Sequence, residues 1–239
     1  MLPLYLTITT LLAHLVSANV EKTIFLAPSA LSLPATQSSF DYLGLQRLSP
    51  ADGVHRTKIT ASFPTDESEH GTDSWYFLEG LNPGQRYEVR VCWLATQPTA
   101  FDLTTYTLSE ILIDTSLRTA ITLHASPETS PAPTKRPPAP AADAQLVPES
   151  VLFLRISAAA DYFSLNQTLM ENVPPVLADI ILDPFLANVF PRSLVPTACY
   201  IVLVAGVAAV IARWIAAQFS GAIDSLDDQE EIPERKKDR

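Results

Sequence analysis

Asp66, Glu67, Glu69 and Asp73 form an acidic group whose residue types and spacing could support acid–base or metal chemistry. Carboxylates clustered in this way could hold a metal or a sugar substrate, as they do in a glycosyltransferase. The residues around them, Pro64, Thr65, Ser68, Gly71 and Thr72, read instead as an exposed loop in which the acids are solvated. His55, His70 and His124 are far apart and show no HExxH-type or Cys-containing metal spacing. Glycine is scarce, with 7 in 239 residues, and no glycine-rich phosphate loop is present. The expectation is a chain without catalytic residues, metal or cofactor. An independent hydrolase or transferase built on residues 66–73 is the competing possibility.

Charge and cysteine content narrow the class further. A net charge of −10, from 16 basic and 26 acidic side chains, argues against nucleic acid as a partner. Of two cysteines, Cys199 falls in an apolar C-terminal run, so Cys92 has no disulfide partner on its own side of a membrane. The folded part must therefore rest on hydrophobic burial. Cys92 is expected to be buried beside Trp93, with an intermolecular disulfide as the alternative.

The two ends of the chain predict compartment and topology. Residues 1–16 are apolar and uncharged apart from His14, and Val16-Ser17-Ala18 puts small residues at the two positions a signal peptidase reads. This predicts a signal peptide over residues 1–18; a signal anchor is the alternative, although Thr7, Thr9 and Thr10 interrupt a run already short for a span. Residues 194–212 contain no charge, and at about 1.5 Å per residue they reach roughly the 30 Å of a bilayer core. A transmembrane helix is expected over residues 194–216. Pro196 falls in its first turn, and Arg213-Trp214 supplies a snorkelling cation beside an interfacial aromatic. Arg192 flanks the other end, so orientation follows from the signal peptide: a lumenal N-terminal part and a cytosolic tail over residues 217–239. That tail ends Lys236-Lys237-Asp238-Arg239, with lysines third and fourth from the carboxyl end. This di-lysine pattern would be read by coat machinery for retrieval to the endoplasmic reticulum, which makes the chain a single-pass type I membrane protein of that compartment.

Between the two ends, residues 19–125 are rich in β-branched and aromatic side chains and predict a lumenal β-domain. Ser74-Trp75-Tyr76-Phe77-Leu78 and Arg86-Tyr87-Glu88-Val89-Arg90-Val91-Cys92-Trp93 read as two strands flanking an Asn82-Pro83-Gly84-Gln85 turn. In the second strand Tyr87, Val89, Val91 and Trp93 share one face while Arg86, Glu88 and Arg90 share the other, the period of a half-buried antiparallel strand. Leu81, then Pro83-Gly84, then Tyr87 resembles the corner of immunoglobulin and fibronectin type III sandwiches, where the tyrosine hydroxyl bonds back to the turn. Further strands are expected over residues 22–26, 57–63, 100–108 and 151–156. The expected fold is mainly β, an immunoglobulin- or fibronectin-III-like antiparallel sandwich.

Residues 126–148 are dominated by Pro, Ala, Ser and Thr and predict an extended linker or a loop inserted before the last strand. Residues 149–172 hold that strand and a glycosylation sequon, Asn166-Gln167-Thr168. Residues 173–193 predict juxtamembrane amphipathic helices that lie at the membrane interface or pack on a partner, because Pro174-Pro175 can open one in which Leu177, Ile180 and Ile181 share a face and Asp183-Pro184 can restart one carrying Phe185, Leu186 and Val189. Each of Asp179 and Asp183 would cost about 2.5–3.5 kcal/mol at mid-bilayer, so this region is not a second span. A buried connector is the other reading. Within the membrane helix, Ala198, Ala205, Ala209, Ala212 and Ala216 make a stripe of small residues along which a partner helix could approach.

Several of these segments together resemble a known family. Val20-Glu21-Lys22-Thr23-Ile24-Phe25-Leu26-Ala27-Pro28, Arg47-Leu48-Ser49-Pro50, Ser74-Trp75-Tyr76-Phe77-Leu78 and the long run from Asn82 through Arg90-Val91-Cys92-Trp93 to Gln97-Pro98-Thr99 are similar to the fungal accessory subunit of GPI mannosyltransferase II. The resemblance covers residues 20–108 and the layout of signal peptide and single span. It implies a non-catalytic, glycosylated membrane subunit of the endoplasmic reticulum. Such a subunit supports a multi-span transferase that adds the second mannose to the glycosylphosphatidylinositol precursor from dolichyl-phosphate mannose. It carries over no catalytic residues, so Leu81, Pro83, Gly84, Tyr87, Trp93, Ala205, Ala209 and Ala212 are structural or partner-facing candidates. The alternative function is a cycling membrane adaptor that binds secretory cargo or glycans on its sandwich.

Overall fold

A computed structural model describes residues 19–34, 43–124 and 146–230. The signal-peptide expectation, nearly all of the proline-rich stretch and the Lys236-Lys237 signal lie outside the described residues.

Alternation in the Tyr87 strand organises the first of two sheets. Strand β1 (Val20–Leu26) pairs antiparallel with β6 (Arg86–Trp93), and β6 pairs antiparallel with β9 (Val176–Leu186). The far edge of β9 is shared by β4 (Val54–Ile59) and the two-residue β10 (Phe190–Pro191). In the second sheet β8 (Leu146–Ala160) lies against β5 (Thr72–Leu81) along one edge. Its other edge takes β2 (Leu31–Pro34) and β7 (Thr99–Tyr106), and β3 (Gln46–Leu48) adds parallel to β5. The sheets share one core, in which Tyr87, Val89, Val91, Ile180 and Leu182 of the first meet Tyr76, Leu78, Leu152, Leu154 and Ile156 of the second. The fold is thus mainly β with predominantly antiparallel sheets, as expected.

The second sheet is covered on its other face too. Helices α1 (Leu108–Ile113) and α2 (Thr115–His124) lay Ile111 and Ile121 over Trp75, Phe77, Val151 and Phe153. A strand buried on both faces reads as a continuous apolar run, which is why Ser74 to Leu78 and Val151 to Ile156 lack alternation. Each helix has a local cause. Thr107 accepts from the Glu110 N–H at 3.2 Å while Glu110 Oε2 accepts from the Thr107 N–H at 2.7 Å, a capping box. Asp114 Oδ1 accepts from the Ser116 N–H at 2.7 Å at the head of α2. At Asp114 the Ser116 hydroxyl, which donates to the same oxygen at 2.7 Å, is the larger cause, and these hydrogen bonds hold both carboxyls below their ordinary range. Neither helix was expected inside the β-domain.

His124 pins the end of α2 to the sheet. Its Nε2 lies 3.4 Å from the Trp75 N–H, beyond the reach of the short β3, and so accepts from it as a neutral imidazole with the proton on Nδ1. Burial lowers its pKa from 6.5, partly opposed by Asp73. A base whose folded value is depressed binds its proton first in the unfolded chain. This contribution to stability is therefore full above about pH 6.5 and is lost as pH falls through the folded value. Acidification from pH 7 to 5 is expected to loosen α2 and shift the emission of the buried Trp75, and His124→Gln to flatten that dependence.

Residues 173–193 correct the sequence reading most. They form β9 and β10, with a single 3-10 turn at Arg192–Leu194, in place of the expected amphipathic helices. Val176, Ala178, Ile180 and Leu182 are buried in the core, whereas Leu177, Asp179, Ile181 and Asp183 take the other face. Pro184 is tolerated in this inner strand because of where its missing donor points. The Leu182 N–H donates to Gly53 O at 2.7 Å on the β4 side, so Pro184 also turns its nitrogen to that side, past the last β4 pair and before the β10 pairs. A turn with Ala187 and Asn188 at φ 50° and 59° then closes the β9–β10 hairpin.

Other boundaries move for the same reason, since pairing decides them. β4 spans Val54–Ile59 where residues 57–63 were expected, and β8 begins at Leu146, inside the segment assigned to the linker. The strands on both sides of the proline-rich stretch belong to one compact unit, Met1–Pro191. A second unit, Arg192–Arg239, contains helix α4 (Val195–Glu230). Its stretch Arg192–Phe219 holds an 18-residue window of mean hydropathy 2.4 and is the one helix among the described residues long and apolar enough to cross a membrane. The helix continues through Glu230, into the segment expected to be the tail. Near the end of the first unit a single turn of helix, α3 (Gln167–Glu171), carries the sequon.

Candidate functional site

The face of the first sheet turned away from the core is built from residues that pairing sets in rows. Val20, Cys92, Asp179 and Arg56 form one row, and Lys22, Arg90, Ile181 and Val54 the next. Ile24, Glu88 and Asp183 form a third. Cross-strand neighbours on one face have Cβ atoms about 5 Å apart, so each row is a line of touching side chains.

Glu88 and Asp183 face each other and are only 4% and 5% exposed. Two adjacent carboxylates out of water need cations. Lys22 Nζ lies 3.3 Å from Glu88 Oε2, Arg90 Nη1 3.4 Å from Glu88 Oε1, and Arg90 Nη2 4.0 Å from Asp183 Oδ2. Arg90 thus bridges the pair from the neighbouring row. In the first row Arg56 makes a two-pronged contact with Asp179, Nε to Oδ1 at 2.7 Å and Nη2 to Oδ2 at 2.8 Å. This bond holds the Asp179 carboxyl below its usual range and raises Arg56. Burial pushes the neighbouring Cys92 thiol up, which leaves it a poor nucleophile.

Because acids sit low and cations stand high, the face presents apolar and basic chemistry although the chain carries −10. Lys22, Arg56, Lys58 and Arg86 are exposed, interleaved with Ile24 (51%), Leu26 (58%) and Val54 (61%). A shallow groove of about 320 Å³ runs along one end, lined by Arg56, Cys92, Leu94, Leu177 and Asp179 among others. The exposed apolar side chains stand at the two edges of this face, Ile24 and Leu26 on β1 and Val54 on β4, with the charged residues of β6 and β9 between them, a mixture of apolar and charged surface that a docking partner could cover.

The structure separates the acidic group read from sequence. Asp66, Glu67 and Glu69 are exposed on a turn-rich loop, whereas Asp73 belongs to β5 and accepts from Ser157 Oγ at 2.6 Å. Of the histidines, His55 bonds Gln46 at 2.9 Å, His70 is exposed and His124 holds α2, so they do not meet. No metal-holding cluster occurs among the described residues. Both cysteines are free, and Cys92, expected to be buried, is half-buried on the polar side of its strand.

Among the candidates, Leu81 (4%) and Tyr87 (0%) are core residues and face no partner. The Tyr87 hydroxyl accepts from the Asn82 N–H and donates to Gln85 Oε1, both at 3.0 Å, and so fastens the strand to its turn. Pro83 and Gly84 are exposed in that turn, with Gly84 at φ 72° as the third residue of a type II geometry requires. Asn188 Nδ2 donates to Gly84 O at 2.9 Å, tying the corner to the β9–β10 turn. Trp93 is half-buried with its ring 4.6 Å from Phe101. Ala205, Ala209 and Ala212 are exposed on α4, and Asn166 is exposed at the head of α3.

Sequence reasoning missed Lys22, Arg56, Asp179 and Asp183 as one array. Half of the signal was visible in the polar face of the Tyr87 strand; the other half needed residues 176–186 to be a strand. Compared with protein-family models, curated proteins and solved structures, the chain matches none.

Proposed function

We propose that this chain is a non-catalytic accessory subunit of the endoplasmic-reticulum GPI mannosyltransferase II complex, supporting addition of the second mannose to the anchor precursor. The carrying observation joins the family-like motif to the open face. The run from Asn82 to Thr99 that resembles the family contains β6, and its outward residues Arg86, Glu88, Arg90 and Cys92 are the middle of that face. In this reading the apolar and basic face packs on lumenal loops of the multi-span catalytic subunit, and α4 packs beside it through Ala205, Ala209 and Ala212. The orientation is that of a type I protein with Lys236 and Lys237 in the cytosol. In the same reading the two-sheet domain is an immunoglobulin- or fibronectin-III-like sandwich; its tyrosine corner supports this, while the parallel β3–β5 pair and the helical cover depart from that class.

Val54 and Lys58 are exposed on an edge strand and contribute to no core, so reversing the character of the face there leaves the fold intact. Val54→Glu with Lys58→Glu is expected to reduce co-purification with a multi-span mannosyltransferase about tenfold and to raise the under-mannosylated lipid precursor. A normal precursor profile in cells depleted of the chain would remove the proposal. The cargo-adaptor alternative parts from it at the tail: replacing Lys236 and Lys237 abolishes transport by an adaptor but leaves an enzyme subunit largely active.

A further inference from the structure

The loop before β9 exposes two large apolar side chains with no packing role, Phe163 (81%) and Leu165 (95%). They stand on a rigid support. The Tyr162 hydroxyl donates to Leu169 O at 3.0 Å and its ring meets Phe63 edge-on at 5.2 Å, fixing the loop to the sandwich. The Ser164 N–H points to Met170 Sδ at 3.3 Å, and the Asn166 N–H donates to Ser164 Oγ at 3.1 Å. A protein that holds a phenylalanine out in water on so braced a loop leaves it for something to cover.

The covering group is named by the next residues. Asn166-Gln167-Thr168 is a glycosylation sequon, and Asn166 and Thr168 are both exposed. Asn166 Oδ1 accepts from the Thr168 N–H at 3.1 Å, which presets the side chain and leaves Nδ2 without a partner among the described residues. Phe163 is three residues upstream, at most about 11 Å away along the chain even if extended. The axial C–H face of a sugar ring matches the negative face of an aromatic ring.

We propose that Phe163 and Asn166 form one modification site, in which an N-linked glycan on Asn166 lays its innermost sugar over the Phe163 ring. Asn166 Nδ2 bonds to the anomeric carbon of a lipid-pyrophosphate-linked oligosaccharide as the bond from that carbon to the pyrophosphate breaks. The lipid pyrophosphate leaves, and the amide loses one proton. The inference rests on the lumenal placement proposed above, and it assigns the glycan a structural contact in addition to an attachment point.

The test uses the full chain produced in a eukaryotic secretory pathway and unfolded in detergent by denaturant. The intact glycan is expected to favour the folded state roughly twofold to tenfold, the value of one aromatic contact. Trimming with an endoglycosidase that leaves only the innermost sugar keeps this gain, and complete removal abolishes it. In Phe163→Ala the gain is absent, and in Phe163→Tyr it returns. An equal gain with and without the ring overturns the proposal. A second acceptor, Asp66→Asn in an Asn166→Gln chain, creates a sequon on another exposed loop and reports compartment independently. Modification there but not at Asn166 in the unaltered chain sinks the site alone; modification at neither sinks the lumenal placement and this inference with it.

Discussion

Gly71→Ala is expected to destabilise the β-domain by about 4 kcal/mol, a large part of the 5–15 kcal/mol that a domain has. Gly71 sits at φ 77°, where an L side chain is strained by about 1–2 kcal/mol, and a Cβ there would come within 2.1 Å of Ala158 O. Backbone cannot move aside as a side-chain tip can. That carbonyl already accepts from the Ser62 N–H at 3.3 Å, and the next residues of β8 pair with β7, so relief of the clash requires separating strands. The Ser68 hydroxyl also donates to Gly71 O and fixes the loop from the other side. Denaturant unfolding of the full chain in detergent, followed by tryptophan emission, should show a midpoint lowered in proportion. A change below 1 kcal/mol would show that the loop joins the sheet less tightly than its hydrogen bonds imply.

Arg90→Ala is expected to cost about 3 kcal/mol, the lower end of what breaking a buried ion pair costs, because Arg90 itself keeps some solvent contact. The loss comes less from the missing contact than from what remains, two carboxylates at 4% and 5% exposure opposite each other across one strand pair. Adding Glu88→Gln and Asp183→Asn should therefore restore at least half of the stability, since neutral amides carry no like-charge penalty. If the triple variant is no more stable than Arg90→Ala, Arg90 acts through packing of its stem and the electrostatic account is wrong. Because the same cluster underlies the proposed docking face, partner binding should follow the stability of these variants.

Legibility along the chain depended on how many faces of an element are buried. The strand holding Tyr87 has one face in the core and one at the surface, so its side chains alternate in type and its register could be read directly. The β5 and β8 strands are covered on both faces, and their sequences show only that they are apolar; the helices that cover them had to be found separately. Those helices did carry a readable sign in Thr107 and Glu110, spaced as a capping box, but the apolar pattern of residues 100–108 ran past it. Over β9 the apolar positions suit both a helix and a strand, and Pro174-Pro175 and Asp183-Pro184 imitate helix starts. Propensity could not decide between them, and the unpaired edge of β6 did.

The pattern of residues along the chain alone determined that it has an apolar C-terminal helix of membrane length and a mainly β remainder. These properties follow from hydropathy, residue type and short-range spacing, which need no knowledge of distant contacts. Only the tertiary structure decided that residues 176–186 complete the first sheet and bring Asp179 and Asp183 beside Arg56, Arg90 and Glu88. Hydrogen bonding between strands about 90 residues apart for β6 and β9, and about 120 for β4 and β9, sets that register. A one-residue slip would turn the whole array into the core, so the candidate site exists through pairing and is not written in any single segment.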